Sequence, residues 1–145
     1  DSLQGLSNLT RLDLRENCLT AVNSLPRAHK LSELLLGFNK IQRFPPNLAD
    51  RLRSLSVLDI RDNAVSNLEA SDLLGLKLKM LDLRNNEIKL IPPELGLMTS
   101  LTSILLEGNP LKTMRRTIVS GTAREILEYL RGRIQKNSDE GDATS

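Results

Sequence analysis

One pattern recurs five times in this chain and limits what it can fold into. Aligned on asparagine, Asn17, Asn39, Asn63, Asn86 and Asn109 lie 22, 24, 23 and 23 residues apart. Around each one, apolar residues keep fixed offsets: Leu9, Leu12, Leu14 and Leu19 in the first block, Leu101, Ile104, Leu106 and Leu111 in the last. The consensus is L-x-x-L-x-L-x-x-N-x-L. A period of this size marks a chain whose units cannot bury their own apolar residues and must stack to do so. The x-L-x-L step is the two-residue period of a strand with one buried face. The asparagine that follows can both donate and accept hydrogen bonds, which suits a tight inward turn crowded with backbone groups. Stacked asparagines are therefore expected to form a ladder along the array.

These blocks resemble the leucine-rich repeat family over Leu9 to Leu111. The fold expected is α/β: a right-handed leucine-rich-repeat solenoid with short parallel strands on the concave face and short helices or turns on the convex face. The returning segments fit this. "RFPPNLADRLRSL" and "LIPPELGLMTSL" carry Pro-Pro after Phe44 and Ile91, and proline readily opens a helical turn. "NLEASDLLGL" suits a short helix or 3₁₀ turn around Leu73 and Leu74.

The two ends read differently. The chain opens "DSLQGLSNL" inside a repeat, where Leu3 and Leu6 fit the returning segment of a preceding unit. No polar cap comes before them, so residues 1–111 are read as the C-terminal part of a longer array. The alternative is that Asp1–Asn8 folds over the first strand as a minimal cap. At the other end the pattern stops and residues 112–134 read as a helical cap. Met114, Ile118 and Val119 point inward from a first short turn, and Gly121 follows. Thr122 and Glu125 then form a T-x-x-E capping box before Ile126, Leu127, Leu130 and Ile134, which recur at helical spacing. This helix is expected to lie over the exposed edge of the last repeat. Residues 135–145, "QKNSDEGDATS", are polar and read as a mobile tail.

"GNPLKTMRR" followed by "GTAREILEYLRGRI", roughly Glu107 to Ile134, resembles the end of intracellular leucine-rich-repeat proteins of the type called leucine-rich-repeat-containing protein forty. It is also similar to a plant group whose repeats resemble Ras-binding ones. The resemblance implies a cytoplasmic or nuclear protein with an interaction role, and a small GTPase as one candidate partner. It carries no catalytic residue.

Composition narrows the function classes. Twenty basic and 18 acidic residues are close to balance, and aromatics make up 2%. Neither a nucleic-acid surface nor stacking platforms for single strands follow from that. A single cysteine, Cys18, rules out a disulfide framework within the chain and favours a reducing, cytoplasmic setting. Cys18 itself is read as a small half-buried filler rather than a nucleophile. His29, the only histidine, sits on a returning segment with no metal-ligand spacing around it, so no metal or cofactor is expected. "LLLGFNK" lacks the order of a phosphate-binding loop. "KTMRR" and "RGRIQK" make a basic patch on the cap, read as a solvated face. No general acid and base are paired, so no enzymatic activity is expected.

The residues between the strand leucines are the candidate binding residues. Alternation points three side chains per strand away from the core, among them Arg11, Asp13 and Arg15; Leu35; Val57, Asp59 and Arg61; Met80, Asp82 and Arg84; and Leu105. Phe38 stands in the turn just after its strand. "LDLREN", "LDIRDN" and "LDLRNN" repeat Asp and Arg two residues apart. The preferred reading of these pairs is a ladder of compensating surface charges, each worth about 0–1 kcal/mol. The functional reading is a polar docking surface, and the two are compatible. Leu35, Val57 and Met80, with Phe38, are expected to form an apolar patch inside a charged rim, the anatomy of an interface centre. For Phe38 alone, an inward-folded ring sealing the second turn is preferred. Five strands span roughly 20 Å and present fifteen to twenty outward side chains, no more than the roughly 20–30 a side of a standard interface. The expectation is a protein–protein interaction surface on the concave face. The alternative is a structural end to an array whose binding surface lies in other repeats.

Overall fold

Each repeat contributes one three-residue strand, and the five strands line up in chain order. The computed structural model describes residues 8–23 and 25–144, with residues 135–144 as backbone alone. The strands are β1 (Arg11–Asp13), β2 (Glu33–Leu35), β3 (Val57–Asp59), β4 (Met80–Asp82) and β5 (Ser103–Leu105). All pair in parallel, in the order β1-β2-β3-β4-β5. The register is in step throughout, so Leu12, Leu34, Leu58, Leu81 and Ile104 form one row across the sheet. The constant offset between each strand's central apolar residue and its asparagine fixes this register, because a slip of one residue would turn the apolar row outward. The row is fully buried in the middle: Leu34, Leu58 and Leu81 are at 0% exposure.

The returning segments give helices where the sequence suggested them. They are α1 (Leu48–Arg51), α2 (Ala70–Leu73) and a 3₁₀ helix at Pro93–Leu97. Glu69 and Asp72 cap α2 reciprocally, with the Glu69 N–H donating to Asp72 Oδ2 at 3.0 Å. Leu48, Leu73 and Leu95 turn inward from these segments to meet the strand leucines in one continuous core.

The asparagines join the repeats, but not by bonding one amide to the next. Asn86 Nδ2 donates to the carbonyls of Leu83 and Arg84 in its own repeat and of Ile60 in the one before. Its Oδ1 accepts the Val65 N–H at 3.0 Å. Asn63 bonds in the same way to Leu36, Ile60 and Arg61 and accepts from Ile41. The ladder therefore runs amide to backbone, which satisfies groups that an amide–amide stack would leave orphaned.

A second constant of the turn was not expected from the sequence. The residue before each asparagine, namely Glu16, Phe38, Asp62, Asn85 and Gly108, has a positive φ of 59°, 59°, 56°, 57° and 80°. The left-handed step turns the chain from strand to loop in every repeat.

The cap consists of α3 (Arg116–Val119) and α4 (Ala123–Thr144). Half of the expected capping box forms: the Glu125 N–H donates to Thr122 Oγ1 at 3.2 Å. Ile126, Leu127 and Leu130 are buried, Ile134 is half-buried, and Met114 is buried at 8% exposure. α4 lies mainly against the 3₁₀ helix Pro93–Leu97 on the return side of the fourth repeat, and only lightly against β5. The docking point is Gly96, whose missing side chain lets the backbone of α4 come close. α4 continues past Ile134 to Thr144, through the polar stretch read as a tail. That stretch contains no proline to break a helix already nucleated, and Gly141 near its end only weakens it. Leu3 and Leu6 lie outside the described residues.

Candidate functional site

The outward face of the sheet carries four rows of side chains. The register places Arg11, Glu33, Val57, Met80 and Ser103 in one row, and Asp13, Leu35, Asp59, Asp82 and Leu105 in the next. Arg15, Gly37, Arg61, Arg84 and Glu107 follow just beyond the strands. Glu16, Phe38, Asp62, Asn85 and Gly108 form the turn row. Within these rows, four arginines face seven carboxylates, an acidic excess of three on a chain of net charge +2.

The Asp–Arg pairs prove to be turn-forming units inside each repeat rather than rungs between repeats. In each, Asp Oδ1 accepts the backbone N–H two residues on: Asp13 from Arg15 at 3.1 Å, Asp59 from Arg61 at 3.2 Å, Asp82 from Arg84 at 3.1 Å. Asp is a residue type that makes this local bond readily. In the first and fourth repeats the arginine then folds back over its own aspartate. Arg84 Nε and Nη2 reach Asp82 at 3.0 and 2.8 Å, and Arg15 reaches Asp13 at 2.9 and 2.8 Å. This two-pronged geometry is the strong form of the pair. It raises the arginine's pKa in both cases, chiefly through the side-chain hydrogen bonds. It also draws the Asp13 carboxyl down to about 2.

Burial separates the three pairs. Asp13 is exposed, since β1 is the edge strand among the described residues, whereas Asp59 and Asp82 are at 7% and 1% exposure. The expectation of a solvated surface ladder is thus corrected for Asp59 and Asp82. Their outward side chains are covered by neighbouring strands and by the arginine two residues on.

The third repeat departs from the others. Arg61 Nε lies 3.5 Å from Asp59 Oδ2 without hydrogen-bonding it, and is a buried donor with no partner. Among the described residues the Arg61 side chain makes no hydrogen bond. Its guanidinium instead lies over the Phe38 ring, 5.2 Å from the centroid. Asp59 is left with only the Arg61 N–H as a hydrogen-bond donor. Burial raises its pKa, against that backbone bond, and the neighbouring Asp82 charge adds to the rise.

Phe38 is 45% exposed, so the ring does not fold inward to seal the turn. A left-handed backbone at that position carries the ring out onto the turn edge. An open recess of about 510 Å³ lies beside it, lined by Asp13, Arg15, Glu16, Phe38 and Arg61. The apolar residues do not all behave as one patch. Val57 and Met80 are half-buried register neighbours, and Leu105 is half-buried. Leu35 is buried at 9% exposure, between Asp13 and Asp59 in the sheet, and presents little surface. Arg11 is exposed and pairs across strands with Glu33 at 3.1 Å. Cys18 is exposed rather than half-buried, and His29 is exposed.

Sequence alternation already places Gly37 and the turn row on the outward face, but it does not foresee the left-handed backbone of the turn row. Gly37 is the one small residue in its row, and a Cβ there would come into ordinary contact with Arg61 Cγ and Asp59 Oδ1. The shared left-handed step had a partial signal: Asp62, Asn85 and Gly108 are types that tolerate it. A second recess, of about 500 Å³, lies at the seam of cap and array between Leu90, Ile91, Tyr129 and Arg133. Among the described residues no group of acidic, histidine or cysteine side chains is placed to hold a metal. No helix there is long and apolar enough to cross a membrane.

Comparison with known proteins agrees with this architecture. Residues 29–88 match the leucine rich repeat family. Keratocan of Danio rerio is 34% identical over 112 residues, covering 75% of this chain and 31% of keratocan. Osteomodulin of Rattus norvegicus is 37% identical over 112 residues, covering 75% of this chain and 26% of osteomodulin. The transforming growth factor beta activator LRRC33 of Danio rerio is 30% identical over 129 residues, covering 79% of this chain and 19% of that protein. The chain thus spans between about a fifth and a third of the length of these relatives. With its five-stranded parallel sheet and the repeated asparagine turn, the chain is built of leucine-rich repeats.

Proposed function

We propose that this chain is a protein-interaction module that binds a protein partner through the concave, strand-bearing face of its repeats, without catalysis. The observation that carries the reading is the Val57–Met80 row. These are half-buried apolar side chains, adjacent in register, on a sheet face that no other described element covers, and they are rimmed by charge. An apolar centre in a polar rim is how interfaces are built. The relative named as an activator of transforming growth factor beta acts on a protein, which agrees with a protein partner here. The arginines divide their roles in this reading. Arg15 and Arg84 serve the fold, while Arg61 belongs to the binding face. The cytoplasm, or the nucleus, is the proposed setting, because the single thiol of the chain is exposed and unpaired.

The test compares Val57→Glu/Met80→Glu with Leu74→Glu/Leu97→Glu, which alters exposed leucines on the returning side. Captured partners are identified by mass spectrometry. Loss of a specific partner in the first variant alone, with matched melting curves, supports the reading. Equal capture by both contradicts it.

A second reading draws on the length of the relatives. The chain covers 31% of keratocan, so the partner surface of the whole protein would extend over further repeats, with this region forming the structural end. A small GTPase as partner rests on the resemblance of Glu107 to Ile134 alone. Purified GTPases in both nucleotide states test that directly.

A further inference from the structure

Arg61 lies between two stations: its Nε is 3.5 Å from Asp59 Oδ2, an ion pair without a hydrogen bond, and its guanidinium is 5.2 Å from the centre of the Phe38 ring. In the first and fourth repeats the equivalent arginine forks onto the aspartate two residues before it. Nothing in the local sequence forbids this in the third, where Asp59 and Arg61 have the same spacing. Yet the Arg61 guanidinium lies over the Phe38 ring, its Nε is buried without an acceptor, and Asp59 lacks the second donor its counterparts have. Two polar groups are thus left under-bonded so that one aromatic ring can be covered by a cation. The ring itself is exposed and held out by a backbone conformation that is costly for a bulky side chain.

We propose that Phe38 is the seat for a basic side chain of the protein partner, and that Arg61 moves down onto Asp59 when the seat is taken. This rests on the sheet face being the binding surface. The occupant is an exposed arginine or lysine on a basic segment of the partner. Three observations select it. A cation already sits on the ring, so the geometry of a cation over an aromatic face is available there. Glu16 and Asp62, the equivalents of Phe38 in the adjoining repeats, are exposed or half-buried carboxylates that form no ion pair among the described residues, although Asp62 accepts a hydrogen bond from Asn85 Nδ2 at 3.4 Å. The sheet face as a whole carries an acidic excess, which draws basic partners and repels acidic ones.

Arg61 then acts as an internal placeholder. In the free protein it lies over one face of a ring that stays 45% exposed. When the partner's cation arrives, Arg61 gives up one cation–aromatic contact and gains the two-pronged pair seen at Asp82. Gly37 makes room for the exchange. A Cβ there would stand 3.4 Å from Arg61 Cγ and 3.6 Å from Asp59 Oδ1, beside both partners of the pair.

The test uses hexa-arginine and hexa-glutamate peptides as probes, titrated by calorimetry into the full chain and into Phe38→Leu and Arg61→Gln, with melting curves of all three. The proposal predicts that hexa-arginine binds and hexa-glutamate does not. Phe38→Leu, which keeps every charge, weakens hexa-arginine about tenfold. Arg61→Gln removes the competitor and tightens it severalfold. The sign of the Arg61→Gln effect is decisive, because an arginine that itself contacts the partner would give the opposite one. Weaker binding in Arg61→Gln, binding of hexa-glutamate, equal binding by Phe38→Leu, or no binding of hexa-arginine at all each overturns the seat. Failure of the wider reading is separable: the seat falls alone if the partner captured through Val57 and Met80 still binds, and the face reading falls if Val57→Glu/Met80→Glu captures that partner as well as wild type.

Discussion

Arg84 closes over Asp82 in a two-pronged pair at 3.0 and 2.8 Å, and the aspartate beneath it is 1% exposed. The same carboxylate accepts the Arg84 N–H, so one side chain both bends the backbone and holds the cation that shields it. The sequence offers this unit three times, and the fold uses it fully twice. The third copy is where the structure departs from its own rule, and that departure marks the candidate binding site.

The asparagine turn is the most widely shared support of the array. Asn86 is 5% exposed and serves three carbonyls and one N–H across two repeats. Asn86→Ala orphans all of these at once, and urea denaturation is expected to show a loss of about 1–3 kcal/mol or more. An unchanged midpoint would show that the turn holds without the amide.

Gly96 sets how closely the cap can dock. A Cβ there would stand 2.7 Å from the Arg131 N and 2.8 Å from the Leu127 carbonyl, both backbone atoms of α4 that cannot swing away. Arg131 Nη1 also donates to the Gly96 carbonyl at 3.0 Å. Gly96→Ala is expected to cost about 1–3 kcal/mol by overpacking and to speed amide exchange at Leu127 and Leu130. Normal protection at those amides would mean that α4 is anchored elsewhere.

Two aspartates respond oppositely to acid. The folded pKa of Asp59 lies above the ordinary 3.8, chiefly because it is buried. Ionised Asp59 therefore opposes folding at neutral pH, and the opposition is relieved as the pH falls through its folded value. Asp13, lowered to about 2 by its bonds from Arg15, supports folding above 3.8 and loses that support between 3.8 and about 2. Asp59→Asn keeps an acceptor for the Arg61 N–H. It is expected to be more stable than wild type at pH 7, with the advantage shrinking as the pH drops toward 3.8. An advantage that grows toward acid would reverse the sign assigned here.

Phe38 trades stability for an exposed ring. Its φ of 59° suits glycine far better than phenylalanine. Phe38→Gly is expected to melt no lower than wild type even though an aromatic side chain is removed, and to lose hexa-arginine binding. A drop of more than about 2 kcal/mol, the scale of a buried aromatic, would show that the ring packs rather than waits.

Much of the fold was legible because burial repeats in one dimension. A leucine or isoleucine at a fixed offset from each asparagine dictates strand, register and core together, and Pro-Pro marks where two of the return segments turn helical. The site was only partly legible. Alternation correctly sends Asp59 and Asp82 outward, but it says nothing of an arginine two residues later folding back over them. Leu35 also points outward and is then hemmed in by the neighbouring strands. The positive φ at Glu16 and Phe38 leaves no mark in those residue types, and the different course of Arg61 depends on a ring supplied by another repeat.

The division of labour among the arginines is tested most directly by equilibrium urea denaturation of Arg84→Gln and Arg61→Gln at pH 7. Arg84→Gln strips the charged bonds from a buried carboxylate and is expected to cost about 1.5–3 kcal/mol. Arg61→Gln removes no hydrogen bond, only the 3.5 Å ion pair to Asp59 and the contact with the Phe38 ring, and is expected to cost clearly less than Arg84→Gln, about 1 kcal/mol or below. Equal losses in the two variants would place Arg61 in the fold beside Arg84.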